Sequence, residues 1–361
     1  MTQISKHKNA CALLWTHAAI DMNGEVLPCC RFRRMDYTAP NIQDGLANAV
    51  NGEMFSDIRK RMLAGERLEN CFKCWEQEKN TGISMRTDYS KKYADYIENK
   101  PKSKYLEIGF STHCNLACRM CGPEYSSKWS NIKDPKQSVK MGFDLNTDWF
   151  DMDLSELDEI KVIGGEPMMA TQHDDFVEKL IQQHYNLDKL RISYHTNATV
   201  LPKKRIVEFW QQLGEVRVYF SLDGVGKVNE YQRPGHDWET ILKNIEEYKT
   251  YSGNIILGTH TTVTALNIMH INDFLLWREK ILGTDRLTLD TAEQPYHLCI
   301  SNMSEEMKQR AITACEQIKN EEIKNRLIKK INQPAEQVYT KLDIQQQEKE
   351  LDTYFKQESI I

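Results

Sequence analysis

Ser111-Thr-His-Cys114-Asn-Leu-Ala-Cys118-Arg-Met-Cys121-Gly-Pro123 follows a run of strand-forming residues, 105–110, and puts three thiols on one short loop. Three thiolates spaced Cys-x3-Cys-x2-Cys can hold three corners of a cubane iron–sulfur cluster. Such a cube normally takes four thiolates. A three-thiolate loop therefore leaves one iron open, on the logic that separates catalytic from structural metal sites. The alternative is a zinc site that borrows His113 as its fourth ligand, although structural zinc favours paired Cys-x2-Cys knuckles.

Downstream of this loop, short β-type runs at 160–163, 191–194, 216–220, 254–263 and 286–289 alternate with helical stretches. With 105–110 they make six βα units, which predict an α/β fold built as a partial (β/α)6 TIM-like barrel. Beyond Pro295 the pattern is helical: Ser304 is a candidate N-cap, Glu305 and Glu306 fill the first turn, and Pro334 ends the first helix. The Lys, Glu and Gln of this tail predict a solvated face. Upstream, Asn23-Gly24 supplies the positive-φ pair of a tight turn, so 11–30 reads as a β-hairpin with strands at 13–20 and 25–27. Met54, Phe55, Ile58, Met62 and Leu63 then mark an amphipathic helix that stops at Gly65, ahead of Cys71-Phe-Lys-Cys74-Trp75. The polar stretch 91–104, with Pro101, is the expected boundary. The expected organisation is a cysteine-rich hairpin–helix module over 1–100, the barrel over 101–295 and a helical tail over 296–361.

At 361 residues the chain can bury a substantial core. Forty-seven basic against 52 acidic residues give a formal charge of −5, which offers no bulk footprint for nucleic acid or an anionic membrane. No long apolar run exists, and 1–15 is too short and wrongly flanked for a signal peptide, so a soluble cytoplasmic protein is expected. Ten cysteines in such a compartment point to metal rather than disulfides. Eight of them, at 11, 29, 30, 71, 74, 114, 118 and 121, crowd the first third of the chain, whereas Cys299 and Cys315 stand alone and read as buried structural thiols. Trp15, Trp75, Trp129 and Trp149 read as core.

The loop Cys114-x3-Cys118-x2-Cys121 after the first barrel strand resembles the hallmark of the radical S-adenosylmethionine (radical SAM) superfamily. Three further segments resemble the family in order and position. Ile163-Gly164-Gly165-Glu166-Pro167 is similar to its GGEP motif, which implies that this backbone and Glu166 bind the amino group of the SAM methionine. Two glycines allow close main-chain approach, and a carboxylate beside an ammonium makes a charge-assisted hydrogen bond. Tyr194-His195-Thr196-Asn197 resembles the Thr-Asn-Gly segment near the SAM ribose and carboxylate, with Ala198 in place of glycine. Phe220-Ser221-Leu-Asp223-Gly224 resembles the Ser-Leu-Asp-Gly segment and implies that Ser221 and Asp223 face the cofactor. Arg233 resembles an arginine that reaches SAM or substrate; a surface arginine is its bland reading. Met120 replaces the usual aromatic residue against the adenine, a space a thioether can fill.

Cys11-x12-Gly24-x4-Cys29 followed by Cys71-x2-Cys74 resembles the first part of the SPASM/twitch auxiliary-cluster signature, placed before the barrel. This implies one auxiliary 4Fe-4S cluster on Cys11, Cys29, Cys71 and Cys74. Cys29 rather than Cys30 fits the glycine spacing, and adjacent strand residues point to opposite faces. A structural zinc site is the alternative for these four thiolates. The resemblance implies an enzyme of oxidoreductase or transferase type that reductively cleaves SAM to a 5′-deoxyadenosyl radical and abstracts hydrogen from an organic substrate. A peptide or protein side chain leads, and a flavodoxin or ferredoxin is the expected reductant. Small-molecule substrates (sugar, nucleoside or amino acid), a glycyl-radical activase and a non-catalytic metal-binding scaffold are the competing readings.

Overall fold

A computed structural model describes residues 7–133, 155–183, 186–251, 253–283 and 286–360. Its eight strands are β1 (His17–Ile20), β2 (Val26–Leu27), β3 (Tyr105–Gly109), β4 (Glu159–Ile163), β5 (Arg191–Thr196), β6 (Glu215–Ser221), β7 (Ile255–Val263) and β8 (Leu287–Thr291). The sheet order is β2-β1-β3-β4-β5-β6-β7-β8. All six expected barrel strands are present, each preceded or followed by helix. Trp149 lies outside the described residues.

The N-terminal hairpin corrects one expectation. Leu13–Thr16 is a turn of helix rather than strand, and all four of its residues are buried. The strand that follows, His17–Ile20, is buried at all four positions as well, so burial alone does not separate a turn of helix from a strand here. Arg59 fastens the helical turn by donating from Nε and Nη2 to the Leu14 carbonyl at 2.9 and 2.7 Å. The hairpin proper is short, pairing Ala19 with Leu27 and Ile20 with Val26. Its first strand runs parallel to β3, with His17 opposite Tyr105. The hairpin thereby adds two strands to the six expected ones.

The chain divides into two compact units, one of residues 1–113, 139–194 and 203–216, the other of 114–138, 195–202 and 217–361. In the first, β1, β3, β4 and β5 are parallel neighbours. One face of this part of the sheet is apolar, where Tyr194 stacks near Trp210 and His173. In the second, β7 and β8 are parallel, and Phe220 packs edge-on against Tyr248 of the helix Trp238–Thr250.

The tail departs from expectation in two respects. Ser304 caps a helix as predicted, accepting from the Met307 amide. That helix ends at Cys315, however, and a second helix, Glu321–Ile331, starts from its own Asn320 cap before Pro334 is reached. The last helix, Lys341–Phe355, is also not merely solvated, because Glu348 and Leu351 on it are buried. Cys299 and Cys315 are buried as expected, as are Trp15, Trp75 and Trp129. Among the described residues no helix is long and apolar enough to cross a membrane.

Candidate functional site

In the first unit, Cys11, Cys29, Cys71 and Cys74 line one recess together with Leu13, Phe32 and Arg86. The local folds explain the convergence. Cys11 precedes the buried helical turn, Cys29 follows the hairpin, and Cys71 and Cys74 open the helix Phe72–Thr81. Arg86 braces this wall: its guanidinium pairs with Glu78 at 2.6 Å and donates to the Ala10 carbonyl at 2.9 Å, next to Cys11.

Burial, with the neighbouring thiols adding to it, pushes Cys11 and Cys71 up to about 12 and drives Cys29 well above its ordinary value. Clustered buried thiols that resist ionisation in this way ionise when a cation compensates them. Four thiols lining one recess are a donor set that fits an iron–sulfur cluster. Cys30 does not line this recess. The residue is exposed on its outer side, while its thiol lies near Glu107 and Lys161, where burial first and then the Glu107 carboxylate raise it to about 11.

The GGEP turn also belongs to the first unit. Gly164 has φ +125°, and a Cβ on Gly165 would stand 2.3 Å from the His113 carbonyl oxygen. The Gly165 amide donates to Ser111 O and the Glu166 amide to His113 O, both at 2.8 Å. The two glycines thus let this turn lie flat on the backbone that leads into Cys114. Glu166 is buried, and its Oε1 accepts from the Met168 amide at 3.1 Å, capping the turn that begins at Pro167.

In the second unit, the three-cysteine loop is held from several sides. The Ser127 hydroxyl is hydrogen-bonded to both the amide and the carbonyl of Cys114, Ser126 Oγ donates to Leu116 O at 2.6 Å, and Trp129 Nε1 donates to Cys118 O at 2.8 Å. The Ala117 and Arg119 amides donate to the carbonyls of Pro234 and Gln232. Cys118 is buried. Burial raises the Cys118 and Cys121 thiols, Cys121 to about 11, and the mutual proximity of Cys114, Cys118 and Cys121 adds to the shift.

Arg233 Nη1 stands 3.6 Å from Cys118 Sγ. Its Nε pairs with the fully buried Asp223 at 2.6 Å. Asp223 is itself fixed, since its Oδ1 accepts from the Thr262 amide at 2.7 Å and its carbonyl from Asn267. Asp223 therefore acts on Arg233, and Arg233 is buried rather than a surface residue. Asn197 Nδ2 donates to Asn115 Oδ1 at 3.0 Å and lies 3.9 Å from Cys114 Sγ, while its Oδ1 accepts from Thr199. Ala198 has φ +61°, the left-handed region that its glycine counterpart would occupy without strain. Ser221 ends β6 and is half-buried. Met120 and Cys121 line an open cleft with Trp129, His297 and Glu348.

Arg119 and Asn115 are residues that the cysteine spacing did not single out. Both lie inside the loop, but their partners are remote in sequence: Glu348 for Arg119, Asn197 and Thr199 for Asn115. A charged or amide side chain between cysteines was the one local signal available.

Residues 108–277 match the model of the Radical SAM superfamily, and residues 11–75 match that of an iron–sulfur cluster-binding domain, SPASM. A GTP 3',8-cyclase of Aliarcobacter butzleri is 26% identical over 151 residues, covering 40% of this chain and 43% of that protein. A tungsten-containing aldehyde ferredoxin oxidoreductase cofactor-modifying protein of Pyrococcus furiosus is 27% identical over 176 residues, covering 45% of each. The chain thus spans less than half the length of these curated relatives. Among solved structures, native anSMEcpe with bound AdoMet aligns with TM-score 0.45 at 19% identity, over 66% of this chain and 64% of that one. SuiB of Streptococcus suis bound to precursor peptide SuiA aligns with TM-score 0.38 at 11% identity, over 83% and 68%.

Proposed function

We propose that the chain is a radical SAM enzyme, on the matches of residues 108–277 to the Radical SAM model and of 11–75 to the SPASM model, and that Cys114, Cys118 and Cys121 hold the SAM-binding 4Fe-4S cluster. Cys11, Cys29, Cys71 and Cys74 hold a second, auxiliary one. When bound, the first cluster supplies the electron that breaks the S–C5′ bond of SAM and yields the 5′-deoxyadenosyl radical. The observation that carries the reading is the set of three neighbouring thiols with the Arg233 guanidinium 3.6 Å from Cys118 Sγ. A buried cation there favours the anionic, metal-bearing form of the thiolates.

Gly164, Gly165, Glu166 and Pro167 are proposed to meet the methionine end of SAM, Asn197 and Ser221 its ribose and carboxylate side, and Met120 its adenine. Asp223 holds Arg233 in place. By role, 1–100 carries the auxiliary cluster, 101–295 the SAM chemistry and 296–361 the supporting tail. We propose a peptide or protein side chain as substrate, on the resemblance of the N-terminal module to SPASM/twitch enzymes, with a flavodoxin or ferredoxin as reductant. A small-molecule substrate is the second reading, favoured by the GTP 3',8-cyclase relatives.

Anaerobic reconstitution tests the proposal. The protein should turn brown, hold about eight irons per chain as two 4Fe-4S clusters, and form 5′-deoxyadenosine from SAM and dithionite. Cys114→Ala, Cys118→Ala and Cys121→Ala should each abolish SAM cleavage, whereas Cys71→Ala should lose the auxiliary iron and retain cleavage. A colourless, zinc-loaded protein with no cleavage would overturn the reading. Intact iron content in Cys71→Ala would overturn the auxiliary assignment.

A further inference from the structure

Asn115, Asn197 and Thr199 close a ring of side-chain hydrogen bonds beside the first cysteine of the loop. Asn115 Nδ2 donates to Thr199 Oγ1 at 3.0 Å, Thr199 Oγ1 donates to Asn197 Oδ1 at 2.6 Å, and Asn197 Nδ2 donates to Asn115 Oδ1 at 3.0 Å. The Thr199 hydroxyl lies farther from Asn115 Oδ1, at 3.3 Å, so its one proton goes to Asn197. The Thr199 amide adds a second bond to Asn197 Oδ1 at 2.9 Å. From this ring Asn197 Nδ2 also reaches toward Cys114 Sγ, 3.9 Å away. All four residues belong to the second unit.

The backbone brings the three side chains together. Ala198, left-handed at φ +61°, stands between Asn197 and Thr199 and turns the chain so that both meet Asn115. Thr196 and Asn244 pin that turn at the Ala198 amide and carbonyl. Asn115 follows Cys114 directly, so the ring is tied to the cysteine by one peptide bond.

The orientation of the Asn197 amide follows from an obligatory donor. A main-chain N–H can only donate, so the atom of Asn197 that faces the Thr199 amide is its oxygen. Its nitrogen is thereby turned to Asn115 and the sulfur. Reversing the amide would set N–H against N–H at Thr199 and oxygen against oxygen at Asn115. A carbonyl oxygen accepts two bonds and an amide nitrogen donates two, so these contacts fill the capacity of the side chain. A further contact from it to SAM would have to displace one of them. Each bond of the ring runs from donor to acceptor in the same sense, so its members polarise one another.

We propose that Asn115 and Thr199 are positioning residues that aim the Asn197 amide at Cys114 Sγ and thereby set the reduction potential of the cluster on Cys114, Cys118 and Cys121, an inference that rests on the radical SAM reading above. A hydrogen bond donated to a ligating sulfur favours the more negative, reduced state of a cluster and raises its potential. The ring therefore makes this cluster easier to reduce. Arg233 acts on Cys118 with a full charge, whereas Asn197 acts on a second sulfur with a neutral dipole.

The test is a redox titration of the reconstituted full chain without SAM, followed by electron paramagnetic resonance. A parallel sample with SAM identifies the cluster in question as the one whose signal changes. Thr199→Val removes the hydroxyl at nearly constant shape and should move the midpoint of that cluster to a more negative potential, with iron content unchanged. Thr199→Ser keeps the hydroxyl and should hold the wild-type midpoint. Asn115→Ala should shift the midpoint in the same direction as Thr199→Val; if it fails to take up iron, the two threonine variants decide. An unchanged midpoint in Thr199→Val, or an equal shift in Thr199→Ser, would overturn the inference. Absence of any SAM-responsive cluster in the wild type sinks the radical SAM reading instead.

Discussion

Arg119, one residue beyond Cys118, places its guanidinium 2.5 Å from Glu348 of the last helix, with the two side chains 0% and 3% exposed. Asp352 and Gln357 accept further hydrogen bonds from the same guanidinium, Tyr231 stacks on it at 3.7 Å, and Nε donates to the Tyr231 carbonyl. His297 reaches the other oxygen of Glu348 at 2.6 Å. Breaking such a buried pair by removing one partner leaves an uncompensated charge and costs about 3–5 kcal/mol. Arg119→Ala and Glu348→Ala should each lower stability by that order in urea unfolding. Each should also reduce the iron retained by the three-cysteine loop, measured after reconstitution.

Ala198 occupies a left-handed conformation that its surroundings enforce. Thr196 Oγ1 accepts from its amide at 3.1 Å, and Asn244 donates to its carbonyl at 2.8 Å. An L-residue with a Cβ is disfavoured there by about 1–2 kcal/mol, partly offset on going to glycine by about 0.5–1 kcal/mol of chain entropy. Ala198→Gly should therefore be neutral to slightly stabilising in thermal unfolding. Ala198→Val should destabilise by more than 1 kcal/mol on the order-of-magnitude scale of such strain and weaken SAM binding through its neighbour Asn197.

Gly165 has no room for a side chain, since a Cβ would meet His113 O at 2.3 Å. Overpacking against backbone costs about 1–3 kcal/mol. Gly165→Ala should lose SAM affinity in calorimetric titration of the reconstituted protein and lower the melting temperature. Gly253→Ala, where a Cβ would meet nothing within 4 Å, is the control expected to do neither.

The thiols also set a pH dependence. Folded, metal-free Cys11 and Cys71 titrate near 12 against 9.0 for an ordinary thiol, because they are buried. Between about 9 and about 12 the unfolded chain has released protons that the folded chain still holds, so the apo protein loses stability as pH rises through that window. With the cluster bound the ligands are already thiolates, and this decline should vanish. Urea midpoints of apo and reconstituted protein at two pH values on either side of about 9 would measure the difference.

The barrel strands were legible because each is a short apolar run between helical patterns, and β3 to β8 fall within a few residues of the runs at 105–110, 160–163, 191–194, 216–220, 254–263 and 286–289. Leu13–Thr16 was not, because four consecutive buried residues satisfy a buried strand and a buried helical turn equally well. The tail misled for a different reason. A helix rich in Lys, Glu and Gln looks solvated until Arg119, 229 residues away, takes Glu348 out of water. The ring of Asn115, Asn197 and Thr199 was hidden likewise, since Asn115 stands 82 and 84 residues from its two partners. Only the fold brings them together.

Cys29 and Cys30 are bonded neighbours that live in separate chemical worlds: one lines the four-thiol recess, the other lies beside Glu107 and Lys161. Alkylation footprinting can exploit that division. Once the recess is filled, its four sulfurs are spoken for, while exposed Cys30, raised to about 11, is left for a small electrophile applied at alkaline pH. The mass tag on this one dipeptide then becomes an internal gauge of how far assembly of the N-terminal module has proceeded, read from a single peptic fragment and independent of iron bound elsewhere in the chain.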